Sequence, residues 1–491
     1  MGFQIMRPWG GGERLSAEDE SFLVFEEPRL PMHVGAIALF RSGSLRAGDG
    51  ALDVARLRAA IDARLDRVPR LRKRLERARV LGRSRWVPAA DFEIAQHVEV
   101  RTLRDARCGE SVGPAVGAIL AEPLPRDRPL WHIALLDSGL AGDSFLAVLR
   151  VHHALADGVS AVHLLSRILD EAPGRRGSGE LVSARESSAT RRRVQDRSAT
   201  GSPLRAQVSA SAGFVEPRRL AGSPLRDAAR PRPWIRAGLG LARSVARGWR
   251  RTSYTPLSVP PLEARLHSTL AFDLSDLRSA ARELGVSRND LVVAAVAGAA
   301  RSWLAARGSE GGEARLRAML PVALRREVAG GALGNQISAL VVDLPTEVDS
   351  PAERARSVRR RIRSQLTRGE ALGPIVLAGL AEKLGRWVLV LGRWLTDWRR
   401  SYNVVISSIP APPGRLRLLD AELCTISPVI PLFRDQRFSV GAIVYAGRLF
   451  VGVLSAGSDQ PSLDAFVRAL QRELHCLMRT GDRDVPRRQV A

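Results

Sequence analysis

The stretch Phe145-Leu-Ala-Val-Leu-Arg-Val-His152-His153-Ala-Leu-Ala-Asp157-Gly158-Val-Ser-Ala-Val-His-Leu-Leu-Ser-Arg-Ile-Leu169 sets the reading of this chain. Phe145–Val151 is an apolar run of strand length. From Gly158 the apolar residues fall at helical spacing up to about Leu169. The pattern therefore predicts strand, short loop, helix, with two histidines where the strand ends. A histidine there can project into a cleft and, with an ordinary pKa of about 6.5, can take and return a proton near neutrality. Asp157 can turn back to pin the loop, and Gly158 allows a tight start to the helix. Two buried histidines beside a turn aspartate would satisfy the same spacing without chemistry. The chain has only 8 His, which makes the adjacent pair conspicuous.

Outward from this stretch, Leu130–Asp137 and Val34–Phe40 read as further strands. A helix begins near Leu52, carries Leu57, Ile61, Leu65 and Val68 on one face, and is interrupted at Pro69. Residues 15–171 thus form one folded α/β unit. Residues 172–260 are Gly-, Ser-, Pro- and Arg-rich and read as a largely disordered linker. Strands and helices alternate again over 261–480: strands near 270–274, 318–324, 337–344, 402–409, 423–429, 438–445 and 449–454, the last two joined by Ala446-Gly447. Helices are expected at 276–284, 289–304, 351–366 and 463–478. The Ala-rich segment from Asn289 is apolar all round and is expected to be buried. Residues 1–14 and 481–491 are tails.

The chain has 491 residues, 45% of them hydrophobic, with a formal charge of +24. Wholesale disorder is excluded. The charge would suit a polyanion, but 73 of the 75 cations are Arg, and only Lys73 and Lys383 are Lys. Such usage fits a GC-rich genome. The linker alone holds 18 Arg against 5 acids, so +13 of the +24 lies there. No nucleic-acid-binding signature appears, so nucleic acid is not an expected partner. Three scattered cysteines support neither a zinc site nor a disulfide framework and suit a reducing cytoplasm. Met1–Arg14 does not resemble a signal peptide, and no apolar run reaches the roughly 18 residues of a membrane span.

The His-His-Ala-Leu-Ala-Asp-Gly motif resembles the active-site HHxxxDG of the chloramphenicol acetyltransferase-like superfamily. Flanking segments are similar to one branch of it, the bacterial wax ester synthase/acyl-CoA:diacylglycerol acyltransferase family. They are Leu15–Phe40 (LSAEDESFLVFEEPRLPMHVGAIALF), Pro129-Leu130-Trp131 (the PLW motif), Ser287-Arg288-Asn289-Asp290 (the ND motif), Met319–Glu327 (MLPVALRRE) and Leu333–Pro345 (LGNQISALVVDLP). The chain departs from the family at Ser408 and Ala411, where the family's SNVPGP-like stretch has Asn and Gly.

The resemblance implies an α/β protein of two chloramphenicol acetyltransferase-like domains with the active site in the cleft between them. It implies acyl transfer from acyl-CoA, as substrate, to diacylglycerol or a long-chain alcohol, with no metal or cofactor. His153 is then the general base, His152 supports the loop, and Asp157 is structural, with Arg325 as a candidate ion partner. Asn289 either stabilises the oxyanion or caps its helix, with Asp290 beside it, and Trp131 packs near the site. A carrier-dependent condensation or polyketide-associated acyltransferase would share the fold and motif. A non-catalytic lipid-surface protein would share the fold alone.

Leu372–Arg400 carries Trp387, Leu391, Trp394 and Trp398 at spacings that share one helical face, with Arg at its ends. This suits peripheral contact with an anionic membrane or lipid droplet. A buried helix of the second half is the other reading.

Overall fold

The computed structural model describes residues 12–48, 50–77, 84–102, 112–137, 143–171, 243, 252–309, 314–323, 337–372, 379, 381–383, 385, 387–399, 401–412 and 414–480. Most of the expected linker and Arg325 therefore lie outside the described residues. The last nine linker residues, 252–260, are described, and Leu257 and Val259 are buried.

The first half runs β1 (Glu13–Arg14), α1 (Ala17–Phe25), β2 (His33–Arg41), α2 (Val54–Leu65), β3 (Lys73–Glu76), β4 (Arg85–Pro88), β5 (Val98–Thr102), α3 (Gly113–Ala121), β6 (Trp131–Asp137), β7 (Ser144–His152), α4 (Gly158–Ile168) and β8 (Asp170–Glu171). The second half runs β9 (Arg265–Asp273), α5 (Leu274–Glu283), α6 (Arg288–Ala305), β10 (Arg317–Ala323), β11 (Ile337–Asp343), α7 (Pro351–Thr367), α8 (Trp387–Arg399), β12 (Val404–Ile409), β13 (Leu416–Leu418), β14 (Ala421–Val429), β15 (Phe438–Tyr445), β16 (Arg448–Ala456) and α9 (Gln460–Thr480). The mixed α/β class is as expected. Helices α1 and α3 had not been foreseen.

Two large mixed sheets organise the molecule. One has the order β5-β6-β7-β2-β14-β13-β8 and the other β11-β10-β12-β15-β16-β9. The first sheet is not made from the first half alone. β14 pairs antiparallel with β2, and β13 pairs with β8, so residues 416–429 cross into the N-terminal sheet. The Tyr445 hydroxyl, on β15 of the other sheet, receives the Leu416 N–H at 2.9 Å and donates to the Leu423 carbonyl at 3.0 Å. Buried Leu416, Leu418, Leu423 and Ile426 complete the N-terminal core with Phe40, Leu57 and Phe145. The exchange couples the halves through a sheet and not only through a surface contact.

Helix α6 is buried along its length, from Asp290 to Ala300 without a break. Small side chains let its neighbours approach. A Cβ on Gly298 would lie 2.2 Å from Arg354 and 2.3 Å from Glu473, the partners of a 2.6 Å ion pair between α7 and α9. The hairpin between β15 and β16 turns at Ala446 and Gly447, both with positive φ (46° and 80°), as a two-residue turn of twisted strands requires.

Candidate active site

β7 ends at His152, and α4 starts at Gly158. The intervening loop is tight because the His152 carbonyl accepts both Leu155 N–H (2.8 Å) and Ala156 N–H (3.3 Å). Its two histidines are tied into the sheet by their backbones. His152 N–H donates to Leu130 O at 2.9 Å, and His153 N–H donates to Met32 O at 2.8 Å. The Pro129-Leu130-Trp131 and Pro31-Met32-His33 segments thus hold the loop from either side.

The two rings have different surroundings. His152 is fully buried, and burial, with Arg126 and Arg77 nearby, holds its pKa well below the usual imidazole range. Its ring is neutral at pH 7. The Ala154 N–H donates to its Nδ1 at 3.0 Å, and its Nε2 lies 3.3 Å from Glu26. His153 is half-buried and stacks face to face on Phe22, with ring centroids 3.6 Å apart and planes at 11°. Asp157 is buried and caps α4, its Oδ1 accepting the Ser160 N–H at 2.6 Å. Such a cap supports about 1 kcal/mol of helix stability. Gly158 is the first helical residue and has no positive φ, so conformational freedom is not its use here. A Cβ there would face Ile409 at 3.5 Å, in ordinary contact.

Asn289 lies in the first turn of α6 and accepts a hydrogen bond from the Ser408 hydroxyl. It does not cap the helix. Ser287 does, in a reciprocal capping box with Asp290, whose Oδ2 receives the Ser287 N–H at 2.8 Å. Ser408 thus bonds to the Ser287–Asp290 segment. Trp131 is buried, its indole N–H donating to Leu71 O at 2.8 Å while its ring stacks on His97.

Two cavities flank Ile409, and one of them reaches Gly158. The larger, of about 1050 Å³ including its mouth, lies under the N-terminal sheet and is almost entirely apolar, with Phe40, Leu57, Phe145, Ala161 and Leu165 among its walls. Trp131 and Gly158 also line it. The second, of about 870 Å³, lies under the C-terminal sheet between Val292, Leu340, Ile362 and Leu366, with Arg288, Asn289 and Ser408 as polar walls. Ile409 and Ile443 line both.

The sequence reading missed α1 as a functional element. Glu18, Phe22 and Glu26 recur every fourth residue, a helical signal that was legible but not used. The Glu18 carboxyl is pushed up to about 7 by burial first, then by Asp19, Glu382 and Asp157.

On the outside of α1, Ala17 and Val24 pack against Ala381, Val388 and Leu389, the inner face of α8 and the residues before it. Arg393 ties the two helices by reaching Val24 O and Glu27. The other face of α8 exposes Trp387, Val390 and Leu391. Helix α8 is thus neither wholly buried nor wholly free. The side chains of Trp394 and Trp398 lie outside the described residues.

Among the described residues no group of His, Cys, Asp and Glu is arranged to hold a metal ion, and no helix is long and apolar enough to cross a membrane.

Residues 15–292 match the wax ester synthase/diacylglycerol acyltransferase catalytic domain, and residues 333–478 match the C-terminal domain of the same family. Among curated proteins, a Mycobacterium tuberculosis protein named "Putative diacyglycerol O-acyltransferase Rv0895" is 32% identical over 83% of this chain and 79% of its own. A second from that organism, under the same description, is 27% identical over 95% of this chain and 91% of its own. Among solved structures, a wax ester synthase/diacylglycerol acyltransferase from Marinobacter aquaeolei superposes with a TM-score of 0.62 at 21% identity, covering 96% of this chain and all of that one. The first condensation domain of the calcium-dependent antibiotic synthetase superposes with a TM-score of 0.60 at 16% identity, covering 96% of this chain and 97% of that one. These two likenesses establish the shared fold.

Proposed function

The chain belongs to the wax ester synthase/diacylglycerol acyltransferase family of acyltransferases, and on that premise we propose that it moves a long-chain acyl group from acyl-CoA to diacylglycerol or a long-chain alcohol. The observation that carries the reading is a pair of cavities that share Ile409 and Ile443 in their walls, Ile409 facing Gly158 at the end of the histidine loop. An enzyme that joins two lipids must hold two hydrocarbon tails and bring their polar ends to one base. The larger, apolar cavity suits the acyl chain. The second, with Arg288, Asn289 and Ser408 in its wall, suits the acceptor with its hydroxyl and ester groups.

His153 acts as general base in this reading. Its ring takes the acceptor's hydroxyl proton as that oxygen bonds to the thioester carbonyl carbon. When the tetrahedral adduct collapses, the carbon–sulfur bond breaks and the proton passes to the departing thiolate. No protein nucleophile is needed. The Asn289 side-chain amide, its oxygen held by Ser408, is the candidate donor to the adduct's oxyanion. Asp157 fixes the loop through its cap. The exposed Trp387, Val390 and Leu391 of α8 are the candidate contact with a membrane or lipid droplet, where both lipid substrates reside.

The test is the purified chain with labelled palmitoyl-CoA and a panel of diacylglycerols and alcohols, with a palmitoyl carrier protein as competing donor. We expect acyl-CoA-dependent ester formation that His153→Ala lowers by about 10²–10⁴-fold. Unchanged turnover in that variant would remove the base. A strict need for the carrier donor would favour a condensation-type enzyme. Unchanged lipid accumulation in a host expressing His153→Ala would favour a non-catalytic lipid-surface protein.

A further inference from the structure

We infer that Glu26, the cap residue at the C-terminal end of α1, is the positioning residue of the histidine pair: its carboxylate fixes the tautomer of His152 and, through Met32, the backbone of His153. The part concerning turnover rests on the acyltransferase reading above. The tautomer itself does not.

The argument starts from donors and acceptors. Ala154 N–H can only donate, and it points at His152 Nδ1 from 3.0 Å. Nδ1 is therefore the acceptor of the ring, and the proton of the neutral imidazole sits on Nε2. That Nε2–H needs an acceptor in a fully buried site. Two groups stand near it: the Glu26 carboxylate at 3.3 Å and the Arg126 guanidinium at 3.4 Å. Arg126 has no acceptor to offer, so only Glu26 can receive the proton. Arg126 instead forms an ion pair with the other carboxylate oxygen, Oε2.

The opposite tautomer would reverse both contacts. Arg126 could then donate to Nε2, but Nδ1–H would meet Ala154 N–H donor to donor. The loop bond that shapes the turn after His153 would be lost. Glu26 thus holds the ring in the arrangement that the Ala154 N–H requires, against the competing donor Arg126.

The same carboxylate reaches the second histidine by another route. Glu26 Oε1 accepts the Met32 N–H at 3.4 Å, and Met32 O accepts the His153 N–H at 2.8 Å. One turn back along α1, Phe22 lies flat on the His153 ring. The Glu26 N–H donates to the Phe22 carbonyl at 3.1 Å, so the C-terminal end of α1 and its cap meet both imidazoles.

The experiment uses the full chain with ¹⁵N-labelled histidine. Imidazole nitrogen shifts report the His152 tautomer independently of activity. We expect Nε2–H in the wild type, its retention in Glu26→Gln, which keeps an acceptor oxygen, and its loss in Glu26→Ala. Turnover in Glu26→Ala should fall about 10- to 100-fold, the range seen when hydrogen-bonding supports of metal-bound histidines are removed. The KM for acyl-CoA should change little, and Glu26→Gln should recover most of the rate. A buried Arg126 without its counter-ion threatens folding, so Glu26→Ala with Arg126→Met is made alongside; with no donor left facing Nε2, the Ala154 N–H should restore the Nε2–H tautomer there. Retention of Nε2–H in folded Glu26→Ala, or its loss in the double variant, would overturn the inference. So would unchanged turnover in Glu26→Ala. If the wild type shows no acyl transfer, the functional reading fails and the nitrogen shifts still decide the role of Glu26.

Discussion

Filling the N-terminal cavity is the sharpest test of which tail goes where. Ala161 lies one turn after Gly158 on α4 and lines that cavity, among Phe40, Leu57, Phe145 and Leu165. Ala161→Phe places a ring in that space while His153 and Asp157 are left unaltered in sequence. A phenyl ring takes the room of roughly five methylenes, and each buried methylene contributes about 0.8 kcal/mol. A palmitoyl chain that can no longer enter fully therefore loses about 3–4 kcal/mol. At 1.36 kcal/mol per decade this is a fall of roughly 10²–10³ in kcat/KM for palmitoyl-CoA. A chain short enough to stop before the ring should lose almost nothing. The assay is kcat/KM across acyl-CoA donors from four to eighteen carbons with one fixed acceptor, then across alcohols with one fixed donor. A uniform drop for all donors would refute the acyl assignment of this cavity. So would a change of preference among alcohols with donor preference intact.

Other perturbations probe the surroundings. The Glu18 carboxyl, pushed up to about 7, keeps in the folded state a proton that the unfolded chain releases above its ordinary carboxylate value. Its contribution to stability therefore falls as pH rises from about 4.5 to 7, then levels off. Glu18→Gln should match the wild type near pH 4.5 and exceed it at pH 8 by about 1 kcal/mol, allowing for solvent screening of a partly exposed group; an equal difference at both pH values in denaturant titrations would refute this. Gly35→Ala would set a Cβ 2.0 Å from the Leu149 carbonyl, forcing β2 from β7 at a cost of about 3 kcal/mol, seen as a lowered Tm; an unchanged Tm would show that the strands yield freely. Trp387→Asp with Leu391→Asp should weaken liposome flotation by 100-fold or more, from about 1.5–3 kcal/mol for each apolar side chain withdrawn from lipid, while circular dichroism stays unchanged; undiminished flotation would remove α8 as the contact. Deleting residues 175–230 should leave activity intact and lower salt-sensitive binding to anionic vesicles, each Arg contributing about 1 kcal/mol at such a surface; binding that persists would leave codon bias as the origin of the charge.

Much of the site was legible because its signals are local. The strand–loop–helix around His152 and His153 follows from apolar spacing over 25 residues, and the structure forms it where that spacing puts it. The buried character of α6 follows from its lack of a polar face. Asp157 sits where a helix cap belongs. The sequence left choices open where two local roles compete. Asn289 and Ser287 are both good caps, and only the structure shows that Ser287 takes the cap while Asn289 turns to Ser408. Gly158 invited a conformational explanation, whereas its φ is ordinary and its small size faces Ile409.

By itself the sequence determined many of the elements and the chemistry-bearing loop, since periodicity records which side of an element meets apolar surroundings. It could not determine what those surroundings are. Residues 416–429 have the alternation of a strand in either sheet, and only closure of the whole core sends them to β2 and β8. Glu26 and Arg126 are 100 residues apart and read as ordinary charges, yet folding buries them together against His152. That two cavities share Ile409 and Ile443 in their walls is likewise a property of packed sheets. Burial turns such pairings from interchangeable surface contacts into specific ones, because in a dry site each donor must find its acceptor.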